Sequence, residues 1–261
     1  MTDAYQRVQA ARAKNRTTST FYIGQMFDGF LEMHGDRRFA DDHAIVAGVA
    51  WLNQRPVTVI AIEKGVETEE KIRRNFGSAH PEGYRKALRQ MLLAEKFRRP
   101  VVCLIDTSGA FPGIGAEERG QGQAIAENLM TMMGLKVPIV SVLIGEGGSG
   151  GALALAVSDR VWMLENAVYS VISPEGAASI VWKDAGRAED ASEALKLTAQ
   201  DLLSFGVVER VFSEEGGDFI KVSQTLRAAL ADELKALCAM PEGERTKKRY
   251  QRFRKMGGYE L

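Results

Sequence analysis

The sequence predicts an α/β protein built on strands buried on both faces, and three observations carry that prediction. Residues 101–105 (Val-Val-Cys-Leu-Ile) and 139–144 (Ile-Val-Ser-Val-Leu-Ile) are unbroken apolar runs rich in β-branched side chains, as strands covered on both sides require. Each runs into a glycine-rich turn and then into residues of good helix propensity, so one device, buried strand to glycine turn to helix, occurs twice. Elsewhere apolar residues recur at spacings of three and four: Tyr84, Leu88, Met91 and Leu92 are expected to form the buried stripe of a helix over residues 81–97, opened by Pro81.

Taken in order, residues 1–20 are polar and basic around Val8 and several alanines, which fits an amphipathic helix with little of its own chain to pack on; a partner surface would suit it. Thr20 is a candidate cap for a helix reaching Met33, where Phe21, Phe27, Phe30 and Leu31 broadly keep helical spacing and Gly35 stops it. The polar run His34-Gly-Asp-Arg37, followed by Asp41-Asp-His43, has no compact metal-ligand spacing and reads as a hydrogen-bonded loop. Short strands are expected over 45–51 and 57–62, joined at Asn53-Gln-Arg-Pro56. Next comes a cationic cluster: Lys71 reads as solvated charge, whereas Arg73 and Arg74, just before a loop, are candidate contacts for a carboxylate or phosphate.

A helix over 116–133 would begin with Glu117 and Glu118, which suit its dipole. Further strands are expected over 160–164 and 168–172, and Ser173-Pro-Glu-Gly reads as a capped helix start with Pro174 at the first position. Thr198-Ala-Gln-Asp201 is a second capped start, stopped by Gly206, and helical patterning returns over 218–239. Between Arg245 and Lys255 seven cations surround Tyr250 and Phe253; in a neutral chain such a stripe suits solvent or an acidic partner surface better than nucleic acid.

The totals narrow the class. The 261 residues suffice for a substantial core, and no Pro/Gly/Ser-rich linker divides them, so one unit over 1–261 is expected, with helices at its N- and C-terminal edges. Lysine plus arginine and aspartate plus glutamate both number 34, so global charge gives no reason to expect nucleic acid or an anionic membrane. Cys103 and Cys238 have neither metal-ligand spacing nor disulfide density and read as reduced core residues; no metal site is expected. No apolar run reaches membrane-spanning length and the N-terminus is not signal-like, so a soluble cytoplasmic protein is expected.

The chemistry is expected at the second glycine turn, Gly145-Glu-Gly-Gly-Ser-Gly-Gly151, where small residues let backbone approach closely and take up positive φ. A helix N-terminus there would aim free N–H groups at an anion or at an oxygen gaining charge, with Gly147, Gly148, Gly150 and Gly151 as backbone oxyanion donors. Residues 147–151 also satisfy G-x-S-x-G, so a serine hydrolase competes. That order needs a histidine after the serine, and His34, His43 and His80 all precede Ser149. Ser149 therefore reads as a hydrogen-bonding turn residue. Oxyanion donors without a nucleophile suit enolate chemistry on a thioester, but Glu117, Glu118 and Glu146 would be weak bases at helix starts, so a base brought by a cofactor would complete the site.

Six runs together, His34-Gly-Asp-Arg37, Lys71-Ile-Arg-Arg-Asn-Phe-Gly77, Pro81-Glu-Gly-Tyr-Arg-Lys-Ala87, Phe111-Pro-Gly-Ile-Gly-Ala-Glu-Glu-Arg-Gly120, Gly145 to Ala152 and Tyr169-Ser-Val-Ile-Ser-Pro-Glu-Gly176, resemble the carboxyltransferase alpha subunits of bacterial acetyl-coenzyme A carboxylases over nearly the whole chain. The resemblance implies a crotonase-like superhelix of β-β-α units forming one coenzyme A carboxyltransferase domain. It also implies carboxyl transfer from carboxybiotin to acetyl-CoA, giving malonyl-CoA for fatty acid biosynthesis. In such enzymes the alpha chain presents the biotin side, while a related zinc-bearing beta subunit presents the acyl-CoA side in an alpha2beta2 assembly. The biotin rides on a biotin carboxyl carrier protein and is not covalently bound here, and ATP is used only by a separate biotin carboxylase. Carried onto this sequence, Gly109, Ala110, Phe111, Pro112, Gly113, Ile114 and Gly115 would contact carboxybiotin beside the second turn, and the biotin nitrogen would be the missing base. Two departures bear on turn rigidity and one polar contact: Ser108 stands where the family often has proline, and Glu63 where it usually has glutamine. A self-contained crotonase-like hydratase or isomerase, or a non-catalytic scaffold subunit, are the alternatives.

Overall fold

The computed structural model describes residues 2–257; the outermost positions of the expected single unit, 1 and 258–261, lie outside the described residues. Helix α1 (Asp3–Ala11) and helix α2 (Ser19–Met26) lead into strand β1 (Asp28–Glu32), the hairpin β2 (Ile45–Leu52) and β3 (Arg55–Ile62), and helices α3 (Thr68–Arg73) and α4 (Pro81–Lys96). Strand β4 (Val101–Thr107) is followed by α5 (Ile114–Glu118) and α6 (Gln121–Gly134), and β5 (Ile139–Gly148) by α7 (Ser149–Leu153). Then come β6 (Arg160–Leu164), β7 (Val168–Ser170), α8 (Pro174–Trp182), α9 (Ala188–Leu195), α10 (Ala199–Ser204), β8 (Arg210–Phe212), α11 (Phe219–Ala239) and α12 (Glu242–Lys255).

The strands form one sheet in the order β1-β2-β3-β4-β5-β6-β8, with β7 added to the far end of β5. Strand β2 runs antiparallel to both of its neighbours, β1 and β3, whereas β3 to β6 and β8 run parallel. All seven residues of β4 are buried, as its unbroken apolar run requires. Asn53 and Gln54, both at positive φ, close the β2–β3 hairpin in two residues, so β3 starts earlier than expected, at Arg55.

Several expectations change. The helix expected to reach Met33 stops at Met26: Phe27 is extended, Gly29 takes φ +59°, and Phe30 and Leu31 sit on β1, where the open edge of β2 supplies ladder partners. The helix expected over 116–133 is two helices, broken by Gly120 at φ +82°. On α4 the buried stripe is Tyr84, Ala87, Met91 and Ala94, and Leu92 is exposed. Helix α1 packs within its own chain, Val8 and Ala11 clustering with Val168 and Leu197. The basic tail is partly core: Arg249 on α12 is fully buried, paired with Asp159 at 2.7 Å and donating to the carbonyls of Met132, Leu135 and Val137 at the end of α6 and the start of β5. Cys103 is buried, its thiol pushed up to about 12 by desolvation, but Cys238 is exposed.

Candidate active site

Strand β5 does not stop at its apolar run; it continues through Gly145, Glu146 and Gly147 to Gly148 because β7 supplies a parallel partner there, Gly147 opposite Tyr169 and Gly148 opposite Ser170. The two glycine turns therefore leave the carboxyl ends of the neighbouring strands β4 and β5 side by side, where open α/β sheets place ligands. They touch backbone to backbone. A Cβ on Gly148 would overlap the Ser108 carbonyl and stand 2.9 Å from the Gly109 nitrogen; one on Gly151 would lie 2.5 Å from the Ala110 nitrogen. A Cβ on Gly147 would strike Leu143 and Tyr169, and one on Gly145 the Asp106 carboxylate.

Close approach, and not left-handed backbone, is thus what these glycines supply, which corrects the expectation of positive φ in this turn: among residues 145–151 only Ser149 has it, at +53°. Gly150 is different again, with nothing nearer its missing Cβ than Ile125 at 3.8 Å. The first N–H groups of the five-residue α7 have no partners inside the helix.

The first turn is fixed from both ends. Thr107 Oγ1 donates to the Gly109 carbonyl at 2.8 Å and accepts from the Gly109 N–H at 3.0 Å. Phe111 donates its N–H to the Ala79 carbonyl at 3.0 Å and stacks on His80 with ring centroids 4.1 Å apart, while Gln121 Nε2 donates to the carbonyls of Ala79 and Phe111, each at 2.9 Å. Pro112 and Ile114 are left exposed on the outer curve, and Gly113 passes against the Phe111 ring where no Cβ would fit.

Beneath the turns lies an ion network that no sequence spacing announced, because its members come from six distant segments. Lys64 Nζ bridges Asp106 at 2.7 Å and Glu146 at 2.8 Å; Arg12, just after α1, reaches Glu146 and Glu175, both at 2.7 Å. Asp106 also accepts from the Glu146 N–H at 2.8 Å, and Arg16 pairs with Glu214 at 2.7 Å while donating to the Ile144 carbonyl at 2.8 Å. Burial alone would raise the Glu146 carboxyl, but Lys64 and Arg12 outweigh it and hold it below its ordinary value, so it is an anchor and not a base. Glu117 and Glu118 are exposed on α5. A cleft of about 280 Å³ opens over this network, lined by the cations Arg12, Lys14, Arg16, Lys64 and Lys71 against Asp106 and Glu146, with Ser108 at one wall.

Other candidates fall elsewhere. Arg74 is committed to Glu70 and to the His43 carbonyl, both at 2.8 Å, and Arg73 is exposed at the end of α3; neither lines the cleft, whereas Lys71, expected as solvated charge, does. Ser149 is exposed, and among the described residues its hydroxyl makes no hydrogen bond, to a histidine or otherwise. His34 bonds Asp41 at 2.9 Å in the expected polar loop, and His80 bonds Asn75 at 3.0 Å. Glu63 is buried and accepts from the N–H groups of Thr20 and Gly65, both at 2.7 Å, which uses both carboxylate oxygens. Among the described residues no cluster of His, Cys, Asp or Glu fits a metal ion, and no helix is long and apolar enough to cross a membrane.

Similarity to known proteins agrees with this geometry. The family model described as acetyl co-enzyme A carboxylase carboxyltransferase-like matches residues 1–257. A Ruminiclostridium cellulolyticum protein named acetyl-coenzyme A carboxylase carboxyl transferase subunit alpha is 63% identical over 254 residues, covering 97% of this chain and 98% of that one. A Streptococcus equi subsp. equi protein of the same name is 55% identical over 255 residues, 98% of this chain and 100% of its own. Among solved structures, transcarboxylase 12S superposes with a TM-score of 0.72 at 20% identity, over 88% of this chain and 44% of that one. The beta subunit of geranyl-CoA carboxylase from P. aeruginosa gives 0.65 at 17%, over 85% and 42%. The structural matches establish the crotonase-like fold, and the sequence matches the family: the chain is a member of the acetyl-coenzyme A carboxylase carboxyltransferase family, of the alpha-subunit type.

Proposed function

We propose that this chain is the biotin-side half of a carboxyltransferase: carboxybiotin on a biotin carboxyl carrier protein gives its carboxyl group to acetyl-CoA, forming malonyl-CoA, at a site shared with a zinc-bearing beta subunit. The observation that carries this reading is the backbone-to-backbone packing of the two glycine turns, which a Cβ at Gly148 or Gly151 would force apart. At that junction the turns would meet the flat, polar ring system of carboxybiotin. Gly109 to Gly115 would line the ligand, and the N–H groups of Gly147, Gly148, Gly150 and Gly151 would face oxygens that gain charge, each well-placed donor lowering the barrier by about 3–4 kcal/mol. When bound, the biotin ureido group supplies the carboxyl and, once freed of it, a base for the acetyl methyl group.

The chain's own contribution is positional. The network of Lys64, Asp106, Glu146 and Arg12 pins the carboxyl ends of β4 and β5, so the donors are held before ligand arrives, and the cationic cleft favours an anionic approach path. Glu146 is held in ion pairs, and among the described residues Ser149 has no hydrogen-bonded base, which favours transfer over the hydratase, isomerase and hydrolase readings. The chain would act as one carboxyltransferase domain in the cytoplasm, in an alpha2beta2 assembly served by a separate ATP-using biotin carboxylase. Copurifying the native complex and identifying its subunits tests the partners. Hydration or isomerisation of an acyl-CoA by the isolated chain would overturn the assignment.

A further inference from the structure

Tyr84 lies on α4 with its side chain fully buried, and among the described residues its hydroxyl has no hydrogen-bond partner. Burial, and then the Asp42 carboxylate, push the phenol well above its ordinary value, so the hydroxyl stays protonated, with one donor and two lone pairs to place. Its position is specific. The point where a Gly151 Cβ would sit is 2.9 Å from Tyr84 Oη, 2.8 Å from the Gly109 carbonyl carbon and 2.5 Å from the Ala110 nitrogen. Gly151 thus leaves room for a tyrosine hydroxyl directly behind the Gly109–Ala110 peptide, at the junction of the two turns. Gln121, whose amide nitrogen holds the Phe111 carbonyl of the same turn, carries a second buried and unpartnered atom, Oε1.

An unpaired buried hydroxyl is costly, and phenylalanine would fill the same space without that cost. Core packing alone therefore gives no reason for a tyrosine at this position. We propose that Tyr84 is a positioning residue for carboxyl transfer: its hydroxyl becomes the hydrogen-bond partner of the Gly109–Ala110 peptide when carboxybiotin occupies the turns, and so sets the register of their donors. Tyr84 touches no reacting atom and acts through the turn. The inference rests on the carboxyltransferase reading above.

The test is Tyr84→Phe in the complex reconstituted with the beta subunit, assayed by malonyl-CoA-dependent carboxylation of free biotin beside thermal melting. The expected result is a kcat about 10- to 100-fold lower, the scale on which misplaced groups slow catalysis, with KM for malonyl-CoA unchanged and a melting temperature equal to or above wild type. An unchanged kcat, or a kcat loss accompanied by a lowered melting temperature, overturns the proposal, the latter because the hydroxyl would then be an ordinary structural bond. An inactive wild-type complex would instead overturn the carboxyltransferase reading itself.

Discussion

A Cβ on Gly148 would overlap the carbonyl oxygen of Ser108, so the end of β5 packs against the turn after β4 main chain to main chain. Gly148→Ala must push the turns apart, and its transfer rate should fall at least about 100-fold, the scale of losing one oxyanion donor. Gly150→Ala, with 3.8 Å of clearance, should keep its rate within about threefold because its N–H is retained. Single-turnover carboxyl transfer by the two reconstituted variants checks the contrast. Equal losses would mean that close packing of the turns is not what matters.

Ser149 combines an exposed hydroxyl with φ +53°, a conformation glycine adopts more easily. Ser149→Gly should therefore melt at or slightly above the wild-type temperature and keep most of the transfer activity. A nucleophilic serine would make the same change fatal to turnover, and labelling of Ser149 by a serine-directed phosphonate would point the same way.

The Glu146 carboxyl is held below its ordinary 4.5 by Lys64 and Arg12, against the opposing effect of burial. The stability this gives is fully present above the unfolded value and is lost as pH falls through the lower folded one. Glu146→Gln should cost about 3 kcal/mol near neutrality, since it leaves Lys64 and Arg12 each short of a partner. The deficit relative to wild type should shrink as pH falls below the ordinary 4.5 and through the lower folded value, where wild type loses the same ion pairs. Urea unfolding at a series of pH values measures both effects, and a deficit independent of pH would contradict the ion-pair account.

Arg249→Ala should destabilise by about 3–5 kcal/mol, because it strands the buried Asp159 and three carbonyls. Arg254→Ala, at an exposed position of the same helix, should change stability by less than about 0.5 kcal/mol. Equal melting temperatures for the two would return the basic tail to a solvated face.

The strands and turns were legible because their signals are local: β-branched runs for β4 and β5, proline and serine at the start of α8, threonine and aspartate at α10. What escaped depended on tertiary partners. Phe30 and Leu31 keep helical spacing with Phe27, yet the unpaired edge of β2 draws them into a strand. The cations of residues 245–255 look solvated in one dimension, but Arg249 is drawn inward by Asp159, ninety residues away in the chain. Composition cannot separate close approach from left-handed backbone, both of which these glycines allow; their neighbours decide it in favour of close approach. Arg12, Lys64 and Asp106 carry no shared motif, and Tyr84 looked like one more residue of an apolar stripe.

This chain's proposed role is to supply the donor turns of a two-subunit carboxyltransferase. It is tested most directly by mixing the purified chain with the zinc-bearing beta subunit and carboxylated carrier protein and measuring malonyl-CoA formed from acetyl-CoA. The expected result is no formation by either subunit alone and transfer on mixing that Gly148→Ala removes. Robust transfer by this chain without the beta subunit, or undiminished transfer by Gly148→Ala, would contradict it.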